Sequence, residues 1–235
     1  MSEIGSEIVI KQNADKTAEV VRTSIEVAGK RVEFGITLGD ITEANAEAIV
    51  TPANPGFEYA GMLSGVQNAI ARKAGMATFE EAERNAKATV AAGHGVKDHD
   101  SDLVGVPLGF ATATTSGKLK ERGIKRIIHV NNMRTGGGAP CDEEVVRLAV
   151  SSSLAVADSE RLESVAFPAM GTGVWGMSVA ESLSGTIQGV RDYYRDINPK
   201  SGIGKVNFVV YSQPSLKNAE DMQRILSQDV LPRLK

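Results

Sequence analysis

Residues 164–194 read as one strand–loop–helix unit, and that unit restricts the fold more than any other stretch. The apolar run Val165-Ala166-Phe167 feeds straight into Pro168-Ala169-Met170-Gly171-Thr172-Gly173-Val174-Trp175-Gly176. Ser178 and Glu181 then form a capping box, and Val179, Leu183, Ile187, Val190 and Tyr194 recur at helical spacing. A strand that leads into a helix reaches its next neighbour by a crossover, so an α/β sheet is expected. Three glycines in six residues strip side chains from the loop. Its N–H groups can then close on an anion, with the positive end of the following helix behind it. Trp175, the only tryptophan, sits in this loop. An indole there either stacks on a ligand or packs in the core.

The rest of the chain repeats the pattern. Residues 19–27 and 31–38 alternate apolar and polar around Ala28-Gly29-Lys30, which reads as a β-hairpin. The hairpin runs into Gly39-Asp40-Ile41-Thr42-Glu43, a short helical turn with Asp40 as N-cap and Glu43 three residues on. Residues 46–50 form a short strand that stops at Thr51-Pro52-Ala53-Asn54-Pro55-Gly56. A helix follows Ser64-Gly65 and ends at Gly75, and Thr78 with Glu81 opens another as a second capping box. Strands are expected at 106–114, 123–130, 164–167 and 206–211, with helices at 142–157 and 218–226. The resulting sheet is mixed, covered on both faces, and carries its ligand at the carboxyl ends of its strands. Three strand exits qualify: Gly39-Asp40-Ile41, the stretch from Asn54 to Gly65, and Gly171 to Gly176.

Gly171-Thr172-Gly173-Val174-Trp175-Gly176 also spells the glycine pattern of a Rossmann dinucleotide site. Its context argues otherwise. That pattern opens a first βα unit, whereas this one lies in the last third of the chain. Asp192 and Asp196 fall near the distance of the expected ribose-binding acid, but in a helical stretch beside Tyr193 and Tyr194.

Composition excludes several classes. The 235 residues suit one generous domain, read as a loosely ordered extension over 1–17 and a domain over 18–235. A net charge of −3 argues against a nucleic-acid partner. Neither an apolar run of about 18 residues nor a signal-type N-terminus is present, so a cytoplasmic protein without a membrane partner is expected. Cys141 is alone and only His94, His99 and His129 could add imidazole, so no metal site and no cofactor are expected. His129 ends an apolar strand and reads as structural.

Taken together, Gly39-Asp40-Ile41-Thr42, Ala48-Ile49-Val50-Thr51-Pro52-Ala53-Asn54 with Ser64-Gly65-Val66, and Phe167-Pro168-Ala169 through Gly176 resemble the motifs of the macro domain, the ADP-ribose-binding module. The resemblance covers about residues 19–230 and implies a three-layer α/β/α sandwich with a mixed sheet of about six or seven strands. It implies ADP-ribose, free or protein-linked, as the ligand. Asp40 would accept the adenine amino group and the Ile41 N–H would reach the adenine ring. Asn54 would meet the distal ribose. The amides of Ser64, Gly65 and Val66, and of Gly171, Thr172, Gly173 and Val174, would clasp the pyrophosphate. Trp175 would lie beside the distal ribose.

Departures from the family pattern bear on turnover. Thr51 stands where the first Asn of the Asn-Ala-Ala-Asn motif is expected, and Gln67 stands where hydrolase members carry an Asp. A neutral amide positions a water but does not take its proton. Two functions stay open: a binding module, and an ADP-ribosyl hydrolase or O-acyl-ADP-ribose deacylase. In the latter, Asn54 and Gln67 are the catalytic candidates and the substrate's phosphate assists.

Overall fold

The computed structural model describes residues 7–12, 17–59, 65–97, 104–134, 141–212 and 215–234. Ten strands and five α-helices follow in order: β1 Glu7–Gln12, β2 Ala18–Val27, β3 Lys30–Leu38, β4 Ala48–Ala53, α1 Gly65–Ala74, α2 Ala77–Thr89, β5 Val96–Lys97, β6 Val104–Gly105, β7 Ala111–Thr115, β8 Arg126–Asn131, α3 Glu143–Ser159, β9 Ser164–Pro168, α4 Val179–Asp192, β10 Lys205–Val210 and α5 Leu216–Arg224. Eight of the strands form one sheet in the order β1-β2-β3-β10-β9-β4-β8-β7, and β5 pairs β6 separately. The central five run parallel, and the hairpin β2–β3 and the edge strand β7 are antiparallel. The expected mixed sheet is present. It has seven strands besides β1, which adds an antiparallel edge from within the segment expected as a loose extension.

Alternation along each strand sorts the core into two layers. Val32, Phe34, Ile36, Val50, Val165, Phe167, Val206 and Phe208 face α3 and α4. Ile49, Ile127, Ala166 and Val209 face α1 and α2, where Ile70, Phe79 and Ala82 are buried. Helix α4 lies close on α3 because Gly185 and Gly189 carry no side chain. A Cβ at Gly189 would come within 2.7 Å of Val150 Cβ, and one at Gly185 within 2.7 Å of the Glu143 carbonyl.

The capping box at Ser178 and Glu181 forms on α4, and Asp142 caps α3 by accepting from Val145 N. The box expected at Thr78 and Glu81 does not form. Met76 takes the cap position of α2, and Thr78 Oγ1 donates to the Gly75 carbonyl. The Glu81 carboxylate accepts instead from the backbone and hydroxyl of Thr115 at the end of β7. Asp40 does cap, but only a single 3-10 turn, Ile41–Glu43, and Glu43 turns away to pair with Lys73 and Arg122.

Candidate functional site

Because β3, β10, β9, β4 and β8 are parallel, their carboxyl ends, Leu38, Val210, Pro168, Ala53 and Asn131, lie at one pole. The pole is split. β4 pairs β8 at six positions, Ala48 through Ala53, but meets β9 at only two, Ala48 with Val165 and Ile49 with Ala166. The cause is covalent. Continued in register, the next two ladder bonds would need the N–H groups of Pro168 and Pro52, and proline has none. The strands therefore part beyond Ile49 and Ala166, at the place where the order of crossovers reverses. That is where α/β sheets carry their ligands. The strand expected to stop at residue 50 runs on to Ala53 because its pairing with β8 is unaffected. The carbonyl of Pro52 is satisfied by Gln67 Nε2 at 2.7 Å.

Three loops border the crevice. Beyond β3, Asp40 Oδ1 accepts from Thr42 N at 2.9 Å and from Thr42 Oγ1 at 2.8 Å. Oδ2 accepts no hydrogen bond from the described residues. Ile41 anchors the turn with a buried side chain, leaving its N–H at the strand exit. Beyond β4, the Asn54 carboxamide is closed on the main chain of Glu58, with Nδ2 to Glu58 O at 3.1 Å and Oδ1 accepting from Glu58 N at 3.2 Å. Phe57 holds this loop in a left-handed conformation, φ +51°, and its ring is fully buried edge-on to Tyr59 and Phe110. Such a backbone costs about 1–3 kcal/mol and persists only when the packing over-determines it. Gly65 and Val66 open α1, where the first N–H groups lack intrahelical acceptors. Ser64 lies outside the described residues.

The third loop follows β9. Gly176 N bonds the Gly173 carbonyl at 3.1 Å, Met177 N the Gly171 carbonyl at 3.0 Å, and Thr172 Oγ1 the Ala169 carbonyl at 2.8 Å. Among the described residues, the amides of Gly173, Val174 and Trp175 donate to no other backbone group. Val174 is 83% exposed and Trp175 42% exposed. The indole is thus not a core residue. Gly171 sits at φ +81°, and a Cβ there would overlap the Met177 sulfur. Cys141 lies under the same glycine. Burial, reinforced by Asp142, pushes its thiol up to about 11, so it is a neutral packing group rather than a nucleophile.

Two residues that sequence reasoning did not single out stand at this pole. Tyr211, next after β10, is 87% exposed and flanks the Asp40 turn, since Gly39 N bonds the Val210 carbonyl. Asn132 follows β8, donates its N–H to the Ala53 carbonyl and its Nδ2 to Cys141 Sγ, and so ties the β4 exit to the start of α3. Neither could be flagged without knowing that β10 lies beside β3 and β8 beside β4. His129 is buried in the core beneath the loop after β4, with Nδ1 3.1 Å from Tyr59 Oη. The hydroxyl of Thr51 is buried with no hydrogen-bond partner among the described residues. A shallow cavity of about 390 Å³ at the opposite pole is lined in part by Lys125 and Arg126, but these are tied to Glu47 and Glu160. Among the described residues, no helix is long and apolar enough to cross a membrane.

A mixed sheet between two helical layers, with a split at the carboxyl ends of its parallel strands, defines a three-layer α/β sandwich. The family profile described as Macro domain matches residues 50–185. The chain belongs to the macro domain family. An uncharacterized protein of Pyrococcus horikoshii is 34% identical over 187 residues, covering 79% of this chain and 91% of that protein. An uncharacterized protein of Thermotoga maritima is 29% identical over 211 residues, and the aligned region is 90% of this chain but only 31% of that longer relative. The fold is similar to the Oceanobacillus iheyensis macrodomain solved with ADP, at 21% identity and TM-score 0.62, covering 96% of each chain. It is also similar to the Trypanosoma brucei macrodomain solved in complex with ADP-ribose, at 20% identity and TM-score 0.56, covering 80% of this chain and 68% of that one.

Proposed function

We propose that the crevice binds ADP-ribose, free or attached to protein, and that the chain is a binding module rather than a hydrolase. The supporting observation is the convergence of the β3, β4 and β9 exits on one split pole. A carboxylate stands at one side, a carboxamide loop at the other, and unpaired amides on the rim. Asp40 Oδ2 takes the adenine amino group, the Ile41 N–H meets the ring, and Tyr211 lies against its face. The amides of Gly65, Val66, Gly171, Gly173 and Val174 hold the diphosphate, aided by the α1 dipole, so a protein of net charge −3 needs no lysine there. The Thr172 amide, expected to join them, donates to the Ala169 carbonyl instead. The distal ribose reaches Asn54 and Trp175. That the Oceanobacillus iheyensis macrodomain was solved with ADP, and the Trypanosoma brucei one with ADP-ribose, supports this ligand class. Residues 18–235 form the binding unit, and ADP-ribosylated proteins of the cytoplasm are its proposed partners.

Turnover is disfavoured by the same geometry. Both catalytic candidates are committed to the main chain, Asn54 to Glu58 and Gln67 to Pro52. Calorimetric titration with ADP-ribose, AMP, ADP and NAD tests the proposal. ADP-ribose is expected to bind tightest, and a protein that binds AMP as well as ADP-ribose would overturn the two-ended site.

A further inference from the structure

Beneath the Asn54 loop runs a chain of buried polar groups that the proposed binding contacts do not use. His129, fully buried on β8, has Nδ1 3.1 Å from Tyr59 Oη and Nε2 3.2 Å from Thr114 Oγ1. Thr114 Oγ1 also lies 3.1 Å from the Thr115 carbonyl and 3.3 Å from the Ile127 carbonyl. Phe79 packs edge-on against both the imidazole and the Tyr59 ring. Burial pushes the His129 pKa down to about 3, so the ring is neutral and carries one proton. Carbonyls only accept, so the threonine hydrogen goes to one of them, and Oγ1 accepts from His129 Nε2–H. Nδ1 is then bare and accepts from the Tyr59 hydroxyl. Every link has one donor and one acceptor, and the whole runs from Thr114 on the edge strand to Tyr59.

Tyr59 follows Glu58, whose N–H and C=O carry both side-chain bonds of Asn54. The depth at which Tyr59 seats therefore sets where the Glu58 peptide groups lie, and these set the rotation of the Asn54 carboxamide. We propose that the Thr114–His129–Tyr59 chain is a positioning device that orients Asn54 at the crevice mouth. Its effect on ligand rests on the proposed role of Asn54 at the distal ribose. Its effect on the carboxamide does not.

The test reads both. The Asn54 side-chain amide pair is assigned in a ¹H–¹⁵N spectrum by its loss in Asn54→Asp, then followed in Tyr59→Phe, Thr114→Val and Thr114→Ser. Each variant is titrated with ADP-ribose and with AMP. Tyr59→Phe and Thr114→Val are expected to move or broaden the Asn54 pair and to weaken ADP-ribose roughly five- to tenfold. AMP should stay within about twofold because it ends short of the second ribose. Thr114→Ser, which keeps the hydroxyl, should restore both readouts. An unmoved Asn54 pair overturns the inference, as does an equal loss of both ligands, which is what a merely structural role would give. Should Tyr59→Phe fail to fold, the contrast between Thr114→Val and Thr114→Ser decides. A wild-type protein that binds no ADP-ribose defeats the proposed function alone, and the spectra still decide the positioning.

Discussion

Asp40 uses one carboxylate oxygen to cap its own turn, and the proposed site gives the other to the adenine amino group. Asp40→Ala is therefore expected to weaken ADP-ribose and AMP alike by about 1.5–3 kcal/mol, roughly ten- to a hundredfold, in calorimetry. Tyr211→Ala should also weaken both, since it flanks the same end. Trp175→Ala should weaken ADP-ribose and hardly touch AMP. Equal losses for the two ligands would remove Trp175 from the distal ribose. His129 makes a prediction of a different kind. Its folded pKa, about 3, lies below its ordinary value because burial disfavours the charged ring. The stability it supports is present above the unfolded pKa and is lost as pH falls from about 6.5 toward 3, at about 1.4 kcal/mol per pH unit. Urea unfolding of the wild type and of His129→Gln between pH 7 and pH 5 should give a flatter pH dependence in the variant.

At the scale of elements, the loop after β9 leaves Gly171 no room for a side chain. Gly171→Ala would require a left-handed alanine and a displaced Met177. Its expected result is loss of ADP-ribose binding with AMP binding partly kept, provided circular dichroism stays unchanged. The α3–α4 contact predicts stability instead. Gly189→Ala brings a methyl group onto Val150 and should cost about 1–3 kcal/mol in thermal melts without changing ligand preference. Elements were readable from the chain where their signals are local. The Ser178 box, the Asp142 cap and the hairpin depend on residues within a few positions, and all form. Glu81 misled because its partner, Thr115, is 34 positions away, across a contact between α2 and β7 that spacing does not reveal. The same reason hid Tyr211 and Asn132. The lone Trp175 stood out in composition, whereas their importance lies in which strand is next door.

For the molecule as a whole, the question is whether the bound ligand is held or cut. Carboxamides closed on backbone groups make a poor hydrolytic centre, since neither Asn54 nor Gln67 can take a proton from water at neutral pH. In single-turnover assays with an ADP-ribosylated acceptor protein, retention without release is expected. Release that persists in Gln67→Ala and disappears in Asn54→Ala would instead establish a substrate-assisted enzyme. The three exits could be picked out from the chain because each carries its own glycine, proline or cap signature. Their convergence follows from five strands running the same way, and the gap between them from two prolines that local rules mark only as turn residues.

Pro52 and Pro168 have a kinetic consequence. Nothing has to be unzipped when a ligand arrives, because the backbone there has no means of closing on itself. The protein should behave as a socket: in rapid-mixing experiments the observed rate should climb in proportion to ligand concentration, in a single phase, without the plateau that a slow opening step imposes.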